Sequence, residues 1–118
     1  MATREIPRDR WRQELDSFSR EHEGSIVRVE VTESGETRTE AHDVPFCGVS
    51  VDNPRQDAIA VIVGHEPNDH VAHEVARPVT VSIETDRGVE RRLRIRADDG
   101  STTTVEFRSP PVAHDIQR

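Results

Sequence analysis

The sequence has no lysine, no tyrosine, one cysteine and one tryptophan. Each scarcity excludes something. A lone Cys47 forbids an intramolecular disulfide, so the fold must stand on packing and an oxidising compartment is not implied. No segment reaches transmembrane length and the N-terminus has no signal-peptide pattern, so a cytoplasmic protein with no membrane partner is expected. All 16 cations are arginine and face 23 acids, which leaves a net charge of −7. An acidic surface repels nucleic acid unless a local basic patch overrides it, so no nucleic-acid partner is expected.

What remains is lean but patterned. Apolar residues make up 32% of the 118-residue chain, and the aromatics are Trp11, Phe18, Phe46 and Phe107. That suffices for one domain spanning 1–118, and no linker or low-complexity tract divides it. A helix is expected over about 7–23. Pro7 suits its first turn, Asp9 complements the helix dipole, and Gly24 can supply a left-handed stop. Trp11, Leu15, Phe18 and His22 then form one stripe, with Arg10–Glu14 and Asp16–Arg20 paired elsewhere on the cylinder.

After Gly24 the apolar period falls to two. Val27, Val29 and Val31 alternate with charges, as do Val79, Val81 and Ile83, Leu93 and Ile95, and Val105 and Phe107. Three Gly-closed bends, Glu33-Ser-Gly35, Asp86-Arg-Gly88 and Asp98-Asp-Gly100, read as three-residue hairpin loops, because alternation demands an odd count. This register sets Glu30 opposite Arg38, Arg28 opposite Glu40, and Leu93 between Val81 and Val105. It also sets Arg92 opposite Glu106, Glu90 opposite Arg108 and, awkwardly, Glu84 opposite Glu90. Phe46–Val51 and Ala58–Val63 supply further strands, and the unbroken apolar run of the latter requires cover on both faces. The expected class is α+β: an N-terminal amphipathic helix packed on a bent, mostly antiparallel sheet or partial barrel of about seven strands between about 26 and 109. Pro110-Pro111 ends the last strand and 112–118 reads as a loose tail.

Four short motifs also carry a resemblance. Ile6-Pro-Arg-Asp-x-Trp11, Phe18-Ser-Arg-x-His-x-Gly24, His73-x-Val-x-x-Pro78 and Phe107-Arg-Ser-Pro110 resemble a family of small bacterial proteins of unknown function. Members of that family often place an aromatic after the helix glycine, where this chain has Ser25. The resemblance implies a single helix-plus-strands domain and supplies no catalytic or binding residues.

Gly64–Glu74 is the one stretch dense in chemistry. His65, Asp69, His70 and His73 carry metal-binding atoms, but no known zinc spacing is matched. If Asp69–Val75 is extended, His70 and His73 point to opposite faces, and a solvated loop leading into a strand is the plainer reading. His22 reads as a structural histidine at the end of the apolar stripe. His42, Asp43 and Cys47 could be imagined as a catalytic set, but Cys47 lies among Phe46, Gly48 and Val49, which suits an inert core thiol. Arg92, Arg94 and Arg96 share one strand face and read as a salt-bridged surface. No catalytic residue and no cofactor is assigned. The expected role is a non-enzymatic module that contacts an unknown protein partner or forms a homodimer. The rival is a small-ligand or metal binder using the His65–His73 loop.

Overall fold

The computed structural model describes residues 2–52, 57–65 and 67–108. The chain runs through β1 (Ala2–Glu5), a 3-10 turn (Arg8–Arg10), α1 (Trp11–His22), β2 (Ile26–Glu33) and β3 (Glu36–Val51). It continues through β4 (Ala58–Val63), a second 3-10 turn (Pro67–Asp69), β5 (Val71–Ala76), β6 (Pro78–Asp86), β7 (Val89–Ala97) and β8 (Thr102–Phe107). The eight strands form one open sheet in the order β1-β6-β7-β8-β2-β3-β4-β5. Every ladder in it is antiparallel. The expected end of the last strand at Pro110-Pro111 and the tail 112–118 lie outside the described residues.

The helix is shorter than its sequence signals suggest. Arg8–Arg10 closes a tighter turn in which the Arg10 N–H reaches the Pro7 carbonyl at 2.9 Å, and the α-helix proper starts at Trp11. Its stripe is as expected: Trp11, Leu15, Phe18 and His22 are all buried. The indole N–H donates to the Ile6 carbonyl at 3.0 Å, so this large ring enters the core with no unmet donor. Gly24 ends the helix with φ +89°. Ahead of it all, Ala2–Glu5 forms an eighth strand against β6, which raises the expected count of about seven.

Two of the three hairpins depart from the expected loop length. Ser34-Gly35 and Arg87-Gly88 are two-residue turns with positive φ at both positions, the geometry that matches strand twist. Alternation is then recovered by β-bulges. Glu30 faces Thr39 and Val31 faces Arg38, but beyond the bulge Val29 meets Ala41. In β6–β7 the bulge beside Glu84 places Glu84 opposite Arg92 and Leu93 opposite Ile83, which removes the expected Glu84–Glu90 clash. Only Asp98-Asp-Gly100 keeps three residues, and there Leu93 faces Val105 and Arg92 faces Glu106 as expected. Arg28 lies opposite Glu106 of β8 rather than Glu40.

β3 is the hinge of the fold. Its first part pairs with β2, and Phe46–Val51 pairs with β4. The changeover is built from Asp43 at φ +54° and Pro45, whose carbonyl takes the Gly64 N–H at 3.0 Å. This bend carries β4 and β5 back over the core. The helix seals the other edge of the second part of β3. Ser19 Oγ accepts the Val49 N–H at 2.9 Å and sits within donating distance of the Val49 and Leu15 carbonyls. Between these layers lie Phe18, Phe46, Ile59, Val61, Leu93, Ile95, Val105 and Phe107, all nearly without solvent contact. The long apolar run of β4 is covered fully on one face only: Ile59, Val61 and Val63 are buried, whereas on the other face Ala60 is buried and Ala58 and Ile62 are half-buried.

Candidate functional site

The four ligand-type residues of the histidine stretch do not converge. His65 and Asp69 lie in the β4–β5 connection, where the Asp69 carboxylate accepts the His65 N–H at 3.4 Å and stands 3.8 Å from His65 Nδ1. His70 turns towards β3, with Nε2 3.3 Å from Cys47 Sγ. His73, on β5, points inward to Thr103 Oγ1 at 3.5 Å. His70 and His73 thus serve different surfaces; His70 lies before β5, after the 3-10 turn, so the turn rather than strand alternation sets its direction. Gly64 makes this connection possible: at φ +142°, a Cβ there would lie 2.7 Å from the Asp69 carbonyl oxygen.

The Cys47–His70 contact is what sequence reasoning missed at this end. Cys47 lines a hollow of about 360 Å³ with Glu23, Gly64, His65 and His70. Burial, aided by the nearby Glu23 charge, holds its thiol above the ordinary range. A protonated thiol beside an imidazole is a poor nucleophile. The imagined partners His42 and Asp43 pair instead with each other at 3.2 Å on the surface, and Asp43 also meets Arg108.

A second cluster surrounds the helix end. His22 Nε2 lies 2.6 Å from Glu90 Oε1, and its ring stacks on Phe107 at 4.5 Å between centroids. The bulge in β6–β7 is what aims Glu90 at the helix. With Glu21, these form the one group of three metal-ligand-type side chains whose donor atoms lie within 4.8 Å among the described residues. His22 is 3% exposed, so one ligand atom is deep in aromatic packing while Glu21 stays at the surface. The arrangement is that of a packed histidine held by a carboxylate, with Phe18 and Phe107 against its ring.

Arg92 binds both Glu84 and Glu106, Arg94 stands 3.7 Å from Glu84, and Arg28 joins Glu106 and Glu30. These cations are spent within the sheet face. The half-buried pairs Arg92–Glu84, Arg92–Glu106 and Arg28–Glu106 sit opposite one another across the ladders and so agree with the register.

A row of openings lies between β5 and the first part of β3. β5 is an edge strand with a ladder only to β4, and β3 before Pro45 has a ladder only to β2 among the described residues. Three adjoining hollows of about 260, 150 and 220 Å³ run along this seam. The walls of the hollow of about 150 Å³ are Glu40 and Ala41 of β3 and Val71, Ala72 and His73 of β5, and core residues Val29, Val61 and Val63 form its floor. The backbone direction follows from two bonds. Asp52 N–H reaches the Ala58 carbonyl and Arg77 N–H reaches the Asp57 carbonyl, so Ile59, Val61 and Val63 turn their polar groups to β5. Their partners Val75, His73 and Val71 answer, which leaves Ala72, Glu74 and Ala76 with N–H and C=O facing the seam.

Among the described residues no helix is long and apolar enough to cross a membrane. The model of a family of unknown function, DUF5335, matches residues 2–116, and the chain belongs to that family. No curated protein and no solved structure matches it.

Proposed function

Because the family carries no activity to transfer, we propose from the geometry that this chain is a non-enzymatic interaction module that receives an extended segment of a partner protein along the β3–β5 seam. The observation that carries this reading is the pair of strand edges flanking an apolar floor. An added strand gains main-chain hydrogen bonds from an edge and specificity from alternate side-chain pockets. An edge this apolar is otherwise a liability that folded proteins block. Panning a displayed random-peptide library tests it. Enriched peptides should lose about ten-fold or more in affinity when Ala72→Pro removes one outward N–H. Enriched peptides indifferent to that change, with the variant folded by circular dichroism, would contradict the reading. A second copy of the chain could occupy the same edge, and light scattering would show it as a dimer that Ala72→Pro dissolves.

A second reading, metal binding, draws on the Cys47–His70 contact. Their 3.3 Å separation is close to the ~3.5 Å between a sulfur and a nitrogen ligand on tetrahedral zinc. His65 lines the same hollow but lies too far from the pair to ligate without moving, so a third donor requires its side chain to swing inward. Cobalt(II) titration distinguishes this reading: a thiolate-to-cobalt absorption band lost in Cys47→Ala supports it, and its absence in the unaltered protein removes it.

A further inference from the structure

We propose that the segment received at the seam is a basic alternating strand, with a cationic side chain beside Glu74 on its outer face and small apolar side chains over Val61 and Val63 on its inner face. This rests on the strand-addition reading above and specifies the partner's chemistry. Four carboxylates, Glu33, Glu40, Asp69 and Asp99, line the three hollows against only Arg38 and Arg77, and Glu74 adds a fifth on the outer face of β5. Arg38 and Glu40 neutralise each other and Arg77 is held by Asp98, which leaves Glu33, Asp69 and Asp99 without an arginine ion pair among the described residues. The seam is therefore acidic within a chain of net charge −7.

One position is sharper than the rest. Glu74 turns its backbone to the seam, while its side chain stands beside Asp52 on the outside of the sheet. The contact with a second carboxylate raises the Glu74 pKa through a shared hydrogen bond and charge repulsion. A guanidinium or ammonium group placed there would relieve that repulsion. Ala72 and Ala76 flank Glu74 on the same outer face, and both are too small to obstruct a long cationic side chain. On the inner face the floor is valine, and the space beneath β5 is shallow, about 150 Å³ at Val61 and Val63. Small apolar side chains suit it; aromatic ones do not. Alternation of a strand's two faces then joins these demands into one pattern, cation and small apolar residue in turn.

Fluorescence anisotropy with three short labelled peptides tests this. One alternates arginine with valine, the second replaces each arginine by glutamate, and the third is the arginine peptide with alternate backbone amides N-methylated. The arginine peptide should bind about ten-fold or more tightly than the glutamate peptide, and weaken with salt. N-methylation and Ala72→Pro should each abolish binding, and Glu74→Arg should erase the preference between the first two peptides. Equal binding of the arginine and glutamate peptides, both dependent on Ala72, would overturn the charge assignment and leave strand addition standing. Arginine-peptide binding that survives N-methylation and Ala72→Pro would be diffuse attraction and would overturn both. No binding of either unmethylated peptide would overturn both as well. Thermal melts of each variant confirm that loss of binding is not loss of fold.

Discussion

The two edges of the sheet, β1 and β5, each have a ladder on one side only among the described residues and treat the other side in opposite ways. β1 is four residues long and its charged side chains tie it down. Arg4 reaches Glu14 of the helix at 3.3 Å and Glu90 of β7 at 3.9 Å. The next residue, Ile6, is buried, and its N–H continues the ladder to the Val81 carbonyl. Pro7 then turns the chain into the helix. Shortness and charge are standard guards on an edge. β5 has neither arginine nor proline across its six residues, and Val71 is 62% exposed. One edge is short and held by the Arg4 ion pairs; among the described residues the other has no ladder beyond β4 and lies beside an apolar groove. Openness at only one of two edges is what a receiving surface requires.

The largest effect expected from breaking this contrast lies at the guarded edge. Trp11→Ala removes the ring that bonds the Ile6 carbonyl, and urea unfolding should show a loss of about 3–5 kcal/mol. At the open edge two prolines one residue apart should differ sharply. His73→Pro deletes a ladder donor to Val61 and leaves a buried carbonyl unpaired, a cost of about 1–3 kcal/mol. Ala72→Pro deletes only an outward donor and should stay within about 1 kcal/mol of the parent. Equal losses from the two prolines in the same unfolding assay would mean that the seam-facing amides are bonded. Gly64→Ala should cost about 1–3 kcal/mol, because its Cβ drives into the Asp69 carbonyl and the connection entering β5 must move. The smallest effect is kinetic. Cys47 has a raised pKa, so iodoacetamide should label it slowly at neutral pH and faster as pH climbs through the alkaline range. Glu23→Gln should shift that profile to lower pH by removing a like charge.

Much of the guarded half was legible in the sequence. The helix stripe, its buried histidine and the β7–β8 register follow from period and charge alone. β1 was not legible, since Ala2–Glu5 is exposed throughout and is a strand only because β6 pairs with it. The two misread hairpins share a cause. Alternation can be kept by an odd loop or by an even turn plus a bulge, and parity alone cannot choose between them. The fusion of 36–51 into one strand depended on Asp43 adopting positive φ, which no local pattern announces. Of the candidate site, a loop leading into a strand was readable, but the direction of His70 was not, because it follows a 3-10 turn and precedes β5. Cys47 meeting His70 was not, because it needs the β3–β4 pairing that brings Phe46 opposite Val63. The seam itself depends on strand order, which a single chain's pattern does not contain.

Amide hydrogen exchange resolved by residue along β5 tests the open edge most directly. Val71, His73 and Val75 should exchange slowly, and Ala72, Glu74 and Ala76 should exchange fast, in strict alternation. Uniform protection of all six would mean that something already pairs with this edge in the free protein, and the receiving-seam account would fail.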